Sequence, residues 1–206
     1  MHGLVNRALQ LFLCDSFGGA TWHDIAQKSG VAQQLGPDGF EAMQMYDDAL
    51  TDAVINAATE RLRRPRDCLL EDLGTYLVSH ERGEPIRRLL RFGGVSFTDF
   101  LYSLDDLQGR GHLAVPELAL PELTIDEQGP GQFTLTCRGC PGVGHVLVGI
   151  LRALADDYGA LAVLEHRGGD SGKGCTSAPG AEVIAIEVHD PAFHAGRRFD
   201  LAAEAR

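Results

Sequence analysis

Residues 97–125, FTDFLYSLDDLQGRGHLAVPELALPELTI, contain the change of pattern that decides the fold. Up to Leu107 the apolar residues recur every three or four positions, which predicts a helix. After Gly109, prolines interrupt the chain, and apolar and polar residues begin to alternate as they do in a half-buried strand. Because glycine is a poor helix former, Gly109 and Gly111 predict that the helix stops soon after Leu107.

The chain before this point has the spacing of helices, and the chain after it mixes short strands with one long helix. The predicted helices are residues 4–17, 21–30, 48–62, 67–80, 85–92 and 97–107, the last with Ser96 as its N-cap, and 143–158. The predicted strands are residues 123–126, 132–136, 161–165 and 182–188. This order predicts an α+β fold in which a helical part packs on a sheet-containing part.

We expect a single compact unit with two lobes, followed by a tail. The helical lobe comprises about residues 1–65, the α+β lobe about residues 66–190, and the tail residues 191–206. A chain of 206 residues is long enough to bury a sizeable core without staples.

The charge balance excludes one class of partner. The chain has 18 Lys and Arg against 29 Asp and Glu, which gives a formal net charge of −11. Nucleic-acid binding relies on basic side chains that neutralise phosphates, so we expect no DNA or RNA partner. No segment approaches the ~20 apolar residues of a membrane span, and no basic run precedes the first apolar stretch, so we expect neither a membrane anchor nor a signal peptide.

Five cysteines, an odd number, indicate reduced thiols in a cytoplasmic protein rather than a disulfide framework. Cys137 and Cys140 have the two-residue spacing of a zinc knuckle or a redox thiol pair, but no second pair accompanies them. Cys175, His166 and His145 complete a metal site only if the fold brings them together. Inert buried thiols are the alternative.

Catalysis has little support in the residues. The chain lacks the nucleophile elbow of hydrolases and the HExxH zinc motif, and its acidic pairs resemble solvated helix ends. We therefore expect a non-enzymatic binding or sensing function.

Several short stretches, taken in order and spacing, resemble one family. The chain is similar to the haem-nitric-oxide/oxygen-binding domains (H-NOX, or HNOB), which include the sensor region of soluble guanylate cyclase. The resemblance covers about residues 1–190. The stretches that carry it lie within residues 1–9, 18–25, 46–48, 73–74, 89–94, 97–107, 116–121 and 142–149.

The resemblance implies haem held between a helical subdomain and an α+β subdomain. In the family, the iron ligand is a histidine that directly follows a Leu-Asp-x-Leu element, and this chain has Gln108 there. The family's Tyr-x-Ser-x-Arg motif, which binds the haem propionates, corresponds to Thr136, Arg138 and Cys140. An amide is a poor iron ligand compared with imidazole. His112, four residues after Gln108, is a substitute ligand if the helix continues that far.

The family also implies the function. We expect a sensor domain that binds haem or another small ligand between two lobes and signals to a partner such as a cyclase or kinase, with a diatomic gas as effector if haem is bound. Two alternatives remain. One is a haem-free thiol or zinc redox sensor, as in some relatives of the family, with candidate metal ligands Cys137, Cys140, His166 and Cys175. The other is a protein-interaction module.

The predicted ligand pocket lies between the lobes. Apolar side chains at helical spacing must face a partner, and the resemblance implies that they face a ligand. The expected lining is Val5, Leu9, Leu77, Leu101, Leu104, Gln108 and Pro116, with Arg138 as a second polar group beside Gln108. The alternative is that these residues meet one another in a closed core.

Overall fold

A computed structural model describes residues 1–36, 38–91, 94–140, 142–168 and 180–189 of the chain. The tail and Cys175 lie outside the described residues. The helices are α1 (Gly3–Phe17), α2 (Gly19–Lys28), α3 (Asp48–Leu62), α4 (Arg66–Ser79), α5 (Glu84–Arg91), α6 (Phe97–Tyr102), α7 (Leu107–Ala114) and α8 (Val143–Tyr158). The strands are β1 (Glu122–Gly129), β2 (Gln132–Arg138), β3 (Leu161–His166) and β4 (Glu182–His189).

The predicted α+β class is confirmed. The four strands form one antiparallel sheet in the order β1-β2-β4-β3. Alternate residues of β2, among them Phe133, Leu135 and Cys137, point to the same side and are buried with α8. Because side chains alternate across a strand, the other face of β2 carries polar residues such as Thr134 and Thr136.

Two hydrophobic cores lie side by side in the described structure. The helical core is formed by α1 to α4 and contains Leu9, Ile25 and Val54. The sheet core is formed by α6, α8 and the sheet and contains Phe100, Leu135 and Leu151. Side chains of α4 belong to both cores, so this helix joins them.

The largest difference from the predicted elements is around α6 and α7. Ser96 caps α6 as predicted, and it forms a reciprocal capping box with Asp99. The predicted single helix is instead split, since α6 ends at Tyr102 and a short 3₁₀ turn leads into α7. The prediction that Gly109 and Gly111 stop the helix is wrong, because α7 passes through both glycines.

The two cores meet where α4 crosses α8 with backbone against backbone. A Cβ added at Gly74 of α4 would overlap the carbonyl oxygen of Val146, and one added at Gly149 of α8 would overlap that of Glu71. The Thr75 hydroxyl also donates to the Gly149 carbonyl at 3.3 Å. No residue other than glycine fits at either position without moving a helix axis.

We therefore expect Gly149→Ala to destabilise the fold, although alanine is the better helix former. The overlap costs roughly 1–3 kcal/mol as overpacking, which outweighs about 1 kcal/mol of gained helix propensity. Gly109→Ala is the matched control, because nothing lies within 4 Å of its added Cβ, and it should be neutral or stabilising. Urea unfolding of the two variants checks this, and equal midpoints would contradict the crossing geometry.

Candidate functional site

The candidate site is a cleft of about 530 Å³ on one side of α7. Gln108, Gly109 and His112 of α7 line one wall, and the segment 116–120 lines the other. This volume is within the range of small-molecule sites, roughly 300–1,000 Å³. Most of its lining residues are exposed, so the cleft is an open groove rather than an enclosed cavity.

Gly111 explains why the second wall folds back on α7. It is buried, and a Cβ added there would overlap the Cδ1 atom of Leu120. The Gln108 amide, on the same helix, donates to the Leu120 carbonyl at 3.5 Å, a weak hydrogen bond. The glycine that was expected to end the helix instead makes room for its packing partner.

One side chain of α7, that of Arg110, hydrogen-bonds two neighbouring elements. The Arg110 guanidinium donates through Nη1 to the Leu89 carbonyl of α5 at 3.1 Å and through Nη2 to the Ser103 carbonyl at 2.7 Å. Asp105, in the turn before α7, accepts the backbone N–H of Ile125 in β1 at 2.9 Å. A movement of α7 is thereby coupled to α5 and to the sheet.

His112 lies one helical turn after Gln108 and lines the same cleft. Its side chain is exposed, and it has no hydrogen-bond or ion-pair partner within the described part of the chain. An imidazole in this state retains its nitrogen lone pair for a ligand or metal.

The structure does not bring the predicted pocket lining together, which corrects that expectation. Only Gln108 and Pro116 line the α7 cleft. The others lie elsewhere: Leu9 in the helical core with Leu77 packed against it, Leu101 and Leu104 in the sheet core, Val5 half-buried on α1, and Arg138 exposed at the end of β2. Helical spacing identified the buried sides of these helices, but they face two separate cores.

The positions that correspond to the family's propionate motif are also separated from one another. Thr136 is half-buried within β2 between Thr124 and Val183, and Arg138 is exposed. Cys140 lies near the cleft, where its thiol is 3.9 Å from the Ala119 carbonyl oxygen. Of the three, only Cys140 approaches the segment that lines the cleft.

The predicted zinc ligands do not assemble in the described ranges. No three His, Cys, Asp or Glu side chains there converge in a way that could hold a metal ion. Cys137 points into the sheet core, and Cys175 is not among the described residues. His166 is instead paired with the Glu182 carboxylate, 3.3 Å from its Nε2. This corrects the expectation of a four-residue site as far as Cys137, Cys140 and His166 are concerned.

Burial also makes the two thiols poor nucleophiles. Burial, with smaller contributions from Glu182 and Cys140, raises the pKa of Cys137 to about 12. The pKa of Cys140 is raised by burial first and then by Asp48 and Glu182. Because the thiolate is the reactive form, both groups are largely protonated near neutral pH.

A polar cluster at the start of α8 was not predicted from the sequence. The N-cap residue Gly142 has no side chain, and the Glu182 carboxylate of β4 accepts the N–H groups of Gly142 and Gly144, the latter at 2.6 Å. The His166 ring lies against that of His145, with centroids 4.1 Å apart. His145 reaches Glu71 of α4 at 3.4 Å, so the cluster links α4, α8 and the sheet. No sequence signal pairs Glu182 with Gly142, because they are 40 positions apart.

The sequence model of the Haem-NO-binding family (HNOB) matches residues 2–166, most of the chain. The chain belongs to the haem-NO-binding family. It is 24% identical over 158 residues to soluble guanylate cyclase gcy-31 of Caenorhabditis elegans and 22% identical over 162 residues to soluble guanylate cyclase 89Db of Drosophila melanogaster. These matches cover 76% and 78% of the chain but only 22% and 24% of the two cyclases.

Solved structures agree on the fold of this HNOB chain. An H-NOX protein from S. oneidensis superposes with a TM-score of 0.72 at 15% identity, covering 92% of this chain and 97% of that one. An H-NOX protein from K. algicida superposes with a TM-score of 0.74 at 13% identity, covering 95% and 100%. Of the helices that the structure describes, none has the length and apolar character needed to cross a membrane.

The residues that line the cleft differ from the family's haem-binding pattern. The Gln108 amide, at the family's ligand position, is a weak iron donor and already contacts the Leu120 carbonyl. The cleft does contain an imidazole, His112, and an apolar wall that includes Pro116, Leu118 and Leu120. The cleft therefore contains an imidazole one helical turn after the family's ligand position.

We expect the four cysteines that the structure describes to be alkylated by iodoacetamide in a defined order. Cys68 is exposed and should be modified first, whereas Cys137 is 2% exposed with a raised pKa and should be modified last. Mass spectrometry of digests after short exposures measures each site, and labelling in urea provides the control in which the two rates converge. Rapid labelling of Cys137 in the folded protein would contradict its burial.

The Glu182 carboxylate should stabilise the start of α8. Glu182→Gln replaces hydrogen bonds to a charged acceptor with neutral ones, at an expected cost of roughly 1–2 kcal/mol in the free energy of unfolding. Glu187→Gln is the matched control on the same strand, because Glu187 is exposed, and it should change stability by less than about 0.5 kcal/mol. Urea titrations that place both variants at the same midpoint would rule out this role.

Proposed function

We propose that this chain is a non-enzymatic sensor domain of the haem-NO-binding family, in which haem or another small ligand binds in the α7 cleft. The observation that carries the proposal is that Gln108, at the family's ligand position, lines this cleft together with His112. Haem would supply an iron that binds a diatomic gas. The chain's own residues hold the ligand and respond to it.

Arg110 supports a signalling role for α7. Because its guanidinium bonds carbonyls of two other elements, a ligand that displaces α7 changes both contacts. A ligand shifts such an equilibrium only by its difference in affinity for the two arrangements, and the cleft wall at Gln108 is where that difference arises. The affected elements are α5 and the turn Ser103–Asp106, which is hydrogen-bonded to β1 through Asp105.

A cyclase is the partner class that we propose. The two relatives described above are themselves named soluble guanylate cyclases, and the chain matches about a quarter of their length or less. A separate signalling protein, such as a kinase, would serve in the same way. The thiol-switch alternative has less support, since Cys137 and Cys140 are held as protonated thiols.

Ferric haem added to the purified chain should slow amide hydrogen exchange in α7 and in α5. Arg110→Lys keeps the positive charge but loses the fork that bonds two carbonyls. This variant should retain protection of α7 and lose it in α5, while α3, in the helical core, serves as the unaffected internal control. Mass-spectrometric exchange measures all three helices, and protection confined to α1 or α3 would contradict the proposed site.

Replacing Gln108 by histidine restores the family's donor at the cleft wall. Gln108→His should raise the amount of haem retained after gel filtration, because imidazole is the stronger iron ligand. The Soret absorbance per protein measures retention, and Gln108→Asn is the control that changes the side chain without adding imidazole. No gain over that control would mean that the cleft does not place iron beside position 108.

A further inference from the structure

We infer that Met45 is a methionine oxidation site, and that the oxygen of its sulfoxide accepts a hydrogen bond from Nε2 of His2. The site lies outside the α7 cleft and is independent of the ligand proposed there. The inference follows from three observations: the pairing of Met45 with His2, the free buried donor on His2, and the exposure of the Met45 thioether.

His2 and Met45 are direct neighbours in a short antiparallel pairing. The two residues form a β-bridge, and next to it the Gly3 N–H donates to the Gln44 carbonyl at 2.8 Å. Residues paired in this way have their side chains on the same side, with Cβ atoms about 4.5–5.5 Å apart. Both side chains are long enough to cross this distance, so the end of the Met45 side chain reaches the His2 ring.

His2 carries a hydrogen-bond donor that the described residues leave without an acceptor. The residue is 2% exposed, and as the N-cap of α1 its Nδ1 accepts the Leu4 N–H at 3.2 Å. Because Nδ1 is the acceptor, the neutral ring carries its hydrogen on Nε2, which is buried and unpartnered in that part of the chain. Asn6, one turn later, also has a buried free donor, Nδ2. Both groups call for an acceptor rather than a cation, since a buried donor without a partner costs free energy.

Met45 supplies such an acceptor once it is oxidised. The residue is 59% exposed, so a peroxide in solvent has access to its sulfur. The sulfur lone pair attacks one oxygen of hydrogen peroxide; an S–O bond forms, the O–O bond breaks, and after a proton transfer the second oxygen leaves as water. Sulfur loses two electrons and the peroxide gains them. A thioether is a weak acceptor, whereas the sulfoxide is polar, so oxidation provides the partner that Nε2 lacks.

A second methionine of the chain serves as the internal comparison. Met43, two residues before Met45, is more exposed at 72%. It lies in a turn and takes no part in the bridge to His2. Met43 therefore shows what exposure alone does, and an effect confined to Met45 depends on its neighbour.

The experiment treats the full chain with hydrogen peroxide and then with dithiothreitol, which reduces disulfides and sulfenic acids but leaves sulfoxides. Mass spectrometry of digests should show one oxygen added to Met43 and one to Met45. In ¹⁵N-labelled protein, the NMR signal of the His2 Nε2–H proton should move downfield, because the proton becomes hydrogen-bonded. The urea midpoint should rise by roughly 0.2–0.5 M, the shift expected for one recovered hydrogen bond.

Met45→Leu and Met43→Leu are the matched variants, because leucine keeps the apolar volume and is not oxidised. Peroxide should raise the midpoint of Met43→Leu as it does in the wild type, and it should leave that of Met45→Leu unchanged or lower. His2→Asn keeps an N-cap acceptor but removes Nε2, so this variant should also lose the rise. The NMR signal of the wild type keeps the test decisive if His2→Asn folds poorly.

Each outcome decides for or against the inference. A rise in the midpoint that needs both Met45 and His2, together with the downfield shift, supports it. Resistance of Met45 to peroxide in the folded protein would overturn the assignment of the oxidation site. An unchanged Nε2–H signal after oxidation, or equal midpoint shifts in the wild type and Met45→Leu, would overturn the hydrogen bond to His2.

Discussion

The close approach of α4 and α8 is the constraint on which the rest of the structure depends. α4 contributes Leu69, Leu70 and Leu73 to the helical core, while α8 contributes Leu147 and Leu151 to the sheet core. At the crossing the backbones touch through glycines, so no flexible side chain can take up a change in spacing. The distance between the two cores is therefore set by the backbones themselves, and bulk at the crossing separates both cores at once.

The start of α8 depends on a second, polar constraint. Glu182 reaches from β4 to cap a helix whose own N-cap is glycine, and His145 extends the contact to Glu71 of α4. Among the described residues this cluster occupies the region where a zinc site was expected. His166 is paired with the Glu182 carboxylate, and among the described residues it belongs to no group of potential metal ligands.

The candidate site combines a family position with a feature specific to this chain. Membership of the haem-NO-binding family directs attention to Gln108, and the cleft beside it joins α7 to a segment that folds back through Leu120. Arg110 connects the same helix to two neighbouring elements. The ligand that we propose for the cleft thus contacts the same helix that carries these hydrogen bonds.

The sequence by itself determined those helices and strands that depend on apolar spacing and on capping residues within the element. The spacing of apolar residues predicts α3 and α8 with correct ends, and Ser96 as an N-cap predicts the start of α6. Alternation predicts the strands β1 and β2, although both extend further than the pattern indicates. The spacing of apolar residues shows which side of a helix is buried, but not what that side packs against. Only the tertiary structure decided this: Leu9 lies in the helical core and Leu101 in the sheet core. The tertiary structure also decided that α7 continues through Gly111. Glycine lowers the stability of a helix, but here Leu120, nine positions later in the chain, packs in the space that a side chain at position 111 would occupy.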